Sequence, residues 1–190
     1  DCAMPSPSKA RDTARSILIE QLMAVFQQQG YEGATLAKLA TASGLGKASL
    51  YHHFPGGKDE IARVLMRKAI ADLQRLAFSR LQAPGLSRDR LGALLDGFCE
   101  YVDQGRGHCL LAVLAQGGAR PYYGTEIEAQ FRDWLQMVAE VFEERGEKPK
   151  RARRSADHFV EQIYGALIVS KILDQPGHFR RAIKRLRKTL

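Results

Sequence analysis

Residues 35–58 read Thr-Leu-Ala-Lys-Leu-Ala-Thr-Ala-Ser-Gly-Leu-Gly-Lys-Ala-Ser-Leu-Tyr-His-His-Phe-Pro-Gly-Gly-Lys, and this stretch decides the fold. It spells a short helix, a glycine-bounded turn and a second short helix. Thr35 stands where an N-cap belongs, just ahead of Leu36 and Leu39. Gly44 is a good left-handed stop, because it has no Cβ to clash. Leu45 then fills the elbow between the two helices. Leu50 and Phe54, four apart, give the second helix one buried face. Its other face carries Lys47, Ser49, Tyr51, His52 and His53, all able to donate hydrogen bonds to a polyanion. Pro55-Gly56-Gly57 ends the unit, and Lys58 opens the next helix.

A Thr, an alanine-bearing helix, Ala-x-Gly, a small-residue turn, Leu-Tyr-x-His-Phe, a short turn and a Lys form a specific pattern. It resembles the N-terminal DNA-binding domain of TetR-family transcriptional regulators. Two departures stand out. Lys38 occupies a position where the family often has an acidic residue or Arg, and two glycines precede Lys58 where one residue is commoner. The resemblance implies an all-α fold: an N-terminal three-helix helix-turn-helix domain over residues 9–57, and a C-terminal helical ligand-binding and dimerisation domain over 58–190. It places the second helix of the motif in the DNA major groove. DNA contact is then expected at Thr35, Lys47, Ala48, Ser49, Tyr51, His52, His53 and Lys58. Lys47 would meet a base, and Ser49, Tyr51 and His53 phosphates, as their donor chemistry allows. Thr35 and Lys58 lie at helix N-termini, where backbone N–H groups already favour a phosphate. Against this stands an ordinary solvated helix face with plain capping.

Composition is compatible with that reading. A chain of 190 residues can form one or two small domains with real cores. No apolar run approaches the ~18–20 residues of a membrane-spanning helix. Asp1 to Ser8 lack the apolar stretch of a signal peptide, so a cytoplasmic location is expected, with Met4 as the natural start after Asp1, Cys2 and Ala3. The net charge of +8 is unevenly spread. Residues 1–60 hold six Lys/Arg and six Asp/Glu, whereas residues 44–58 carry Lys47 and Lys58 and no acid. The excess lies in Arg145 to Arg154 and in Arg180 to Lys188, so bulk charge is weak support and the motif carries the argument. Cys2, Cys99 and Cys109 match no zinc spacing, and Cys99, His108 and Cys109 lack a fourth ligand. Neither metal nor cofactor is expected. No Ser/His/Asp order, P-loop or dinucleotide fingerprint is present, and Asp157-His158 is an isolated pair, so the chain is not read as an enzyme.

Hydrophobic periodicity is helical throughout. Helices are expected over 13–29, with Ile17, Leu18, Leu22, Val25 and Phe26 inward, and from Lys58 to Pro84. Another follows from Ser87 as cap, then a short apolar one over 108–116. A long one follows Pro121 and closes at Gly146 and Pro149, one runs from Ser155 to Asp174, and a basic-faced one follows Pro176-Gly177. In the family the C-terminal helices usually enclose a small-molecule pocket whose ligand lowers DNA affinity. Candidate lining residues are Phe98, Tyr101, Cys109, Leu110, Leu114, Tyr122, Phe131, Trp134, Val138, Phe159 and Tyr164, with simple core packing as the alternative. Tyr and Trp are the better candidates, because their polar atoms need a partner when buried. Some related regulators sense electrophiles through a cysteine in this region. Cys109, beside Arg106 at a helix start, has the setting that lowers a thiol pKa, or else is a small buried residue.

Residues 163–169 are apolar all round and must be covered on every side. A second copy of the chain is the simplest cover, with Ile168 and Ile172 toward the partner and Phe179 and Ile183 completing a four-helix seam. The function expected is a ligand-responsive repressor that binds a palindromic operator on double-stranded DNA as a homodimer. An apolar or aromatic effector would release it, with coupling through the fourth helix. The alternative is an all-α small-molecule-binding protein or enzyme that keeps the helix-turn-helix only as packing.

Overall fold

A computed structural model describes residues 7–190, with side chains from Thr13 onward apart from position 117. Cys2 and the start at Met4 lie outside the described residues. Among those described, the elements are all helical. They run α1 (Pro7–Gly33), α2 (Leu36–Ser43), α3 (Lys47–His53), α4 (Gly57–Leu76), α5 (Ser87–Tyr101), α6 (Leu110–Leu114), α7 (Arg120–Glu144), α8 (Pro149–Ile172) and α9 (Pro176–Arg187). Short 3₁₀ turns cover Phe78–Gln82, Asp103–Gly105 and Gly117–Ala119. No described helix is long and apolar enough to cross a membrane.

The chain forms two compact units, and they do not divide at residue 57. The first runs to Lys68 and also takes in Leu110–Tyr123; the second holds Ala69–Cys109 and Gly124–Leu190. The chain therefore crosses from one unit to the other three times: within α4, just before α6, and within α7. Helix α4 is not the only element shared between them.

The first unit is built around α1. Leu18, Ile19, Leu22 and Phe26 are buried, along with Leu39, Leu50, Phe54, Ile61 and Leu65. Ile17, expected inward, is 51% exposed, and Ile19 takes the inward place. Gly30 (φ 69, ψ 179) breaks α1 as expected, but one more turn follows to Gly33. The short helix α6 belongs here too: Leu110, Leu111 and Leu114 are fully buried.

In the second unit α5 lies so close to the end of α4 that a Cβ on Gly97 would fall 1.8 Å from the Leu76 carbonyl oxygen. Trp134 of α7 stacks on Phe78, ring centroids 4.3 Å apart and planes nearly parallel. Its indole N–H donates to Gln74 Oε1 at 2.8 Å. Arg90 donates to the Leu81 carbonyl at 2.9 Å and pairs with Glu144. Ser87 opens α5 but caps nothing; Leu86 is the N-cap residue. Pro149 opens α8 rather than closing α7, because a proline suits the first helical position, whose N–H has no partner in any case. Phe179 and Ile183, expected at a seam between two copies, are buried in this unit's own core instead. The Phe179 ring lies against Gly105 (φ 89), where an added Cβ would sit 2.8 Å from it.

Candidate nucleic-acid interface

The first unit holds the helix-turn-helix rigid by local chemistry. Thr35 Oγ1 caps α2 by accepting the Lys38 N–H at 3.3 Å. Gly44 (φ 67, ψ 10) ends α2 in the left-handed region, and its N–H donates to the Thr41 carbonyl at 3.2 Å. The chain turns at once, with Leu45 N–H donating to the Ala40 carbonyl at 3.2 Å. Helix α3 then buries Leu50 while Lys47, Ala48, Ser49, Tyr51, His52 and His53 all stay exposed. Phe54, at its C-cap, is buried beside Leu50 in the same core. One face is fixed in the core, so the other is presented to solvent as a fixed array.

The two departures from the family pattern each have a place. Lys38 is held on α1, its Nζ donating to Gln29 Oε1 at 2.8 Å. The second glycine, Gly57, has φ 61, which an L side chain rarely adopts, and the Tyr51 ring lies 3.3 Å from where its Cβ would be. Gly56 N–H donates to Glu60 Oε2 at 2.7 Å and so steadies the start of α4.

Lys58 is half-buried, and it is not a free cation. Its Nζ sits 4.2 Å over the Tyr31 ring and 3.5 Å from the Glu32 carbonyl oxygen. The Tyr31 hydroxyl donates to the Asp59 carboxylate. Burial, then the bond to Asp59, pushes the Tyr31 hydroxyl above its ordinary pKa. Tyr123 packs edge-on against Tyr31 at 5.9 Å, and its hydroxyl donates to the Asp59 carbonyl at 3.1 Å. The Glu32 carboxylate accepts the Gly118 N–H, and its backbone hydrogen bonds hold it below the usual carboxylate range. Tyr31, Glu32, Asp59 and Tyr123 escaped the sequence reading, because hydrophobic periodicity carries no signal for a contact made by side chains so far apart in the chain.

The candidate ligand residues fall in both units. Leu110 and Leu114 are buried in the first, and Tyr122 is 63% exposed there. Phe98, Tyr101, Cys109, Phe131, Trp134, Val138, Phe159 and Tyr164 belong to the second. Tyr164 packs between Phe98 (5.2 Å) and Phe131 (5.5 Å), and its hydroxyl lies 3.6 Å from Cys109 Sγ. Burial drives the Tyr164 pKa well up. Val138 and Phe159 are buried core, with Phe159 edge-on to Phe142. Cys109 is buried, and Arg106 spends its charge on Asp103, with Nη2 2.8 Å from Oδ1. Among the described residues, no three His, Cys, Asp or Glu side chains gather as a metal site. On α8, Ile168 (43%), Val169 (39%), Ile172 (76%) and Leu173 (48%) are exposed.

A profile described as "Bacterial regulatory proteins, tetR family" matches residues 18–65, the stretch from α1 through the first half of α4. The chain is 26% identical to the HTH-type transcriptional regulator LmrA of Bacillus subtilis (strain 168) over 164 residues, covering 83% of this chain and 86% of that one. Its fold is similar to that of a TetR transcriptional regulator from Chloroflexus aurantiacus J-10-FL, with TM-score 0.76, 23% identity and 95% of each chain covered. It is also similar to AibR crystallised with isovaleryl coenzyme A and operator DNA, with TM-score 0.59, 22% identity, and 80% of this chain and 85% of that one covered. These relatives are transcriptional regulators rather than enzymes. Profile, relatives and architecture agree: residues 18–65 match the DNA-binding domain of the TetR family, and over most of its length the chain is similar to TetR-type transcriptional regulators.

Proposed function

We propose that the protein is a ligand-responsive repressor that binds a palindromic operator as a homodimer and leaves it when a small effector binds the second unit. The observation that carries this reading is the exposed face of α3. Lys47, Ser49, Tyr51, His52 and His53 stand clear of the core while Leu50 is locked into it, with no acid between 44 and 58. Lys47 donates to guanine O6 and N7; Ser49, Tyr51 and His53 donate to phosphate oxygens. Two copies place their α3 helices in successive major grooves, ~34–36 Å apart. The exposed apolar strip Ile168, Val169, Ile172 and Leu173 supplies the surface between copies.

The effector is apolar or aromatic, and its site lies at the aromatic group Phe98, Tyr101, Phe131 and Tyr164, whose hydroxyls give it polar anchors. The AibR complex, with a small molecule and operator DNA in one structure, lends support to such a two-ligand arrangement. A change of ~5–150-fold in DNA affinity needs ~1–3 kcal/mol of coupling between the sites. The test is a gel shift on the DNA upstream of the protein's own gene, in moderate salt and without ligand. Preference for that duplex over random DNA is expected; equal binding to both sinks the repressor reading.

A further inference from the structure

We propose that Tyr31 is a positioning residue for the DNA-phosphate contact of Lys58, and that residues 110–123 hold Tyr31 in place. The proposal rests on the reading of Lys58 as a phosphate ligand. A lysine ammonium on a four-carbon stem has many rotamers, and fixing it costs side-chain entropy that a preset position avoids. Here the stem is already set. The Tyr31 ring lies under the ammonium at 4.2 Å, and the Glu32 carbonyl oxygen lies on its flank. A ring face attracts a cation without neutralising it, so the positive charge stays available to an anion.

Tyr31 is itself tied at its far end, hydroxyl to the Asp59 carboxylate, one residue along from Lys58. The Tyr123 ring packs edge-on against Tyr31, and the Tyr123 hydroxyl bonds the same residue, Asp59, at its carbonyl. The Glu32 carboxylate anchors the segment again at the Gly118 N–H. Residues 110–123 are inserted into the first unit from between two stretches of the second. A single aromatic side chain thus touches both the phosphate-seeking cation and the inserted segment.

The experiment measures how the operator-binding constant depends on salt for the full-length protein. Each phosphate neutralised adds about 0.9 to the slope of log K against log salt. Lys58→Ala is expected to lower the slope by about that amount for each copy bound. Tyr31→Leu is expected to lower it as well, and Tyr31→Leu with Lys58→Ala to lose no more than Lys58→Ala alone. If Tyr31→Leu fails to fold, as circular dichroism reports, Tyr31→Phe takes its place, because it removes only the bond to Asp59. A Tyr31 variant with the wild-type slope, or with a loss that adds in full to that of Lys58→Ala, overturns the proposal. An unchanged slope for Lys58→Ala instead overturns the phosphate role of Lys58, which is a separate failure.

Discussion

At the scale of single residues, chemistry sets Lys47 apart from the hydroxyls and imidazoles on the exposed face of α3. Lys47 opens the helix, exposed and on a long stem. The Tyr51 ring rests against Gly57 and is half exposed. Lys47→Ala should therefore relax specificity at one symmetric operator position, with a loss of ~1–3 kcal/mol. Binding measured across single-base operator variants checks it, and an equal loss on operator and random DNA would demote Lys47 to a phosphate contact. Thr35, Gly44, Leu50 and Phe54 do in the structure what their types foretold, because a cap, a left-handed stop and an i, i+4 pair depend on a few neighbouring residues only. Lys58 differs. Its type and place were legible, but its seat on Tyr31 was not, since that contact joins residues brought together by the fold.

Among the elements, α5 comes against the end of α4 at Gly97 with no space to spare. Gly97 has no room for a side chain, because the intruding atom would meet the Leu76 carbonyl, which cannot rotate away as a side chain can. Gly97→Ala should destabilise the second unit at or beyond the upper end of the roughly 1–3 kcal/mol usual for overpacking. Thermal unfolding followed by Trp134 fluorescence reads this directly, since Trp134 is the one tryptophan and is buried in the same unit. A melting temperature equal to wild type would mean that α4 and α5 can part freely. Helix boundaries were legible where glycine or proline marks them, as at Gly30, Pro149 and Pro176, but the sense of a proline was not. Pro149 reads equally as the end of one helix or the start of the next, and only the observed backbone of α8 decides it.

For the whole molecule, the exposed apolar strip of α8 is the feature that a solitary chain leaves unexplained. Large side chains such as Ile172, 76% exposed, are costly to leave in water beside three apolar neighbours. Gly165 adds to this, because nothing lies within 4 Å of where its Cβ would be, so a partner helix has room to approach. Ile168→Glu should put an unpaired charge into the interface, at a cost of roughly several kcal/mol, and split the dimer. Binding to a full palindrome should fail with it while the first unit stays folded. Sedimentation at micromolar concentration decides the matter; a wild-type monomer, or an Ile168→Glu protein that still binds DNA as a dimer, would move the interface elsewhere.

The helix-turn-helix, the all-helical class and the exposed face of α3 were legible in the sequence, because each rests on spacing within one or two turns of chain. The sequence also singled out residues 163–169 as a segment needing cover on every side. The fold then splits that segment: Ile163, Ala166 and Leu167 turn inward, and Ile168 and Val169 turn outward. It likewise sent Phe179 and Ile183 into the core of the second unit, and grouped residues 110–123 with α1 in the first. The physical reason is the same in each case. Periodicity states that a face is apolar, but which surface covers that face depends on segments distant in the chain, and those are brought together only by the complete fold.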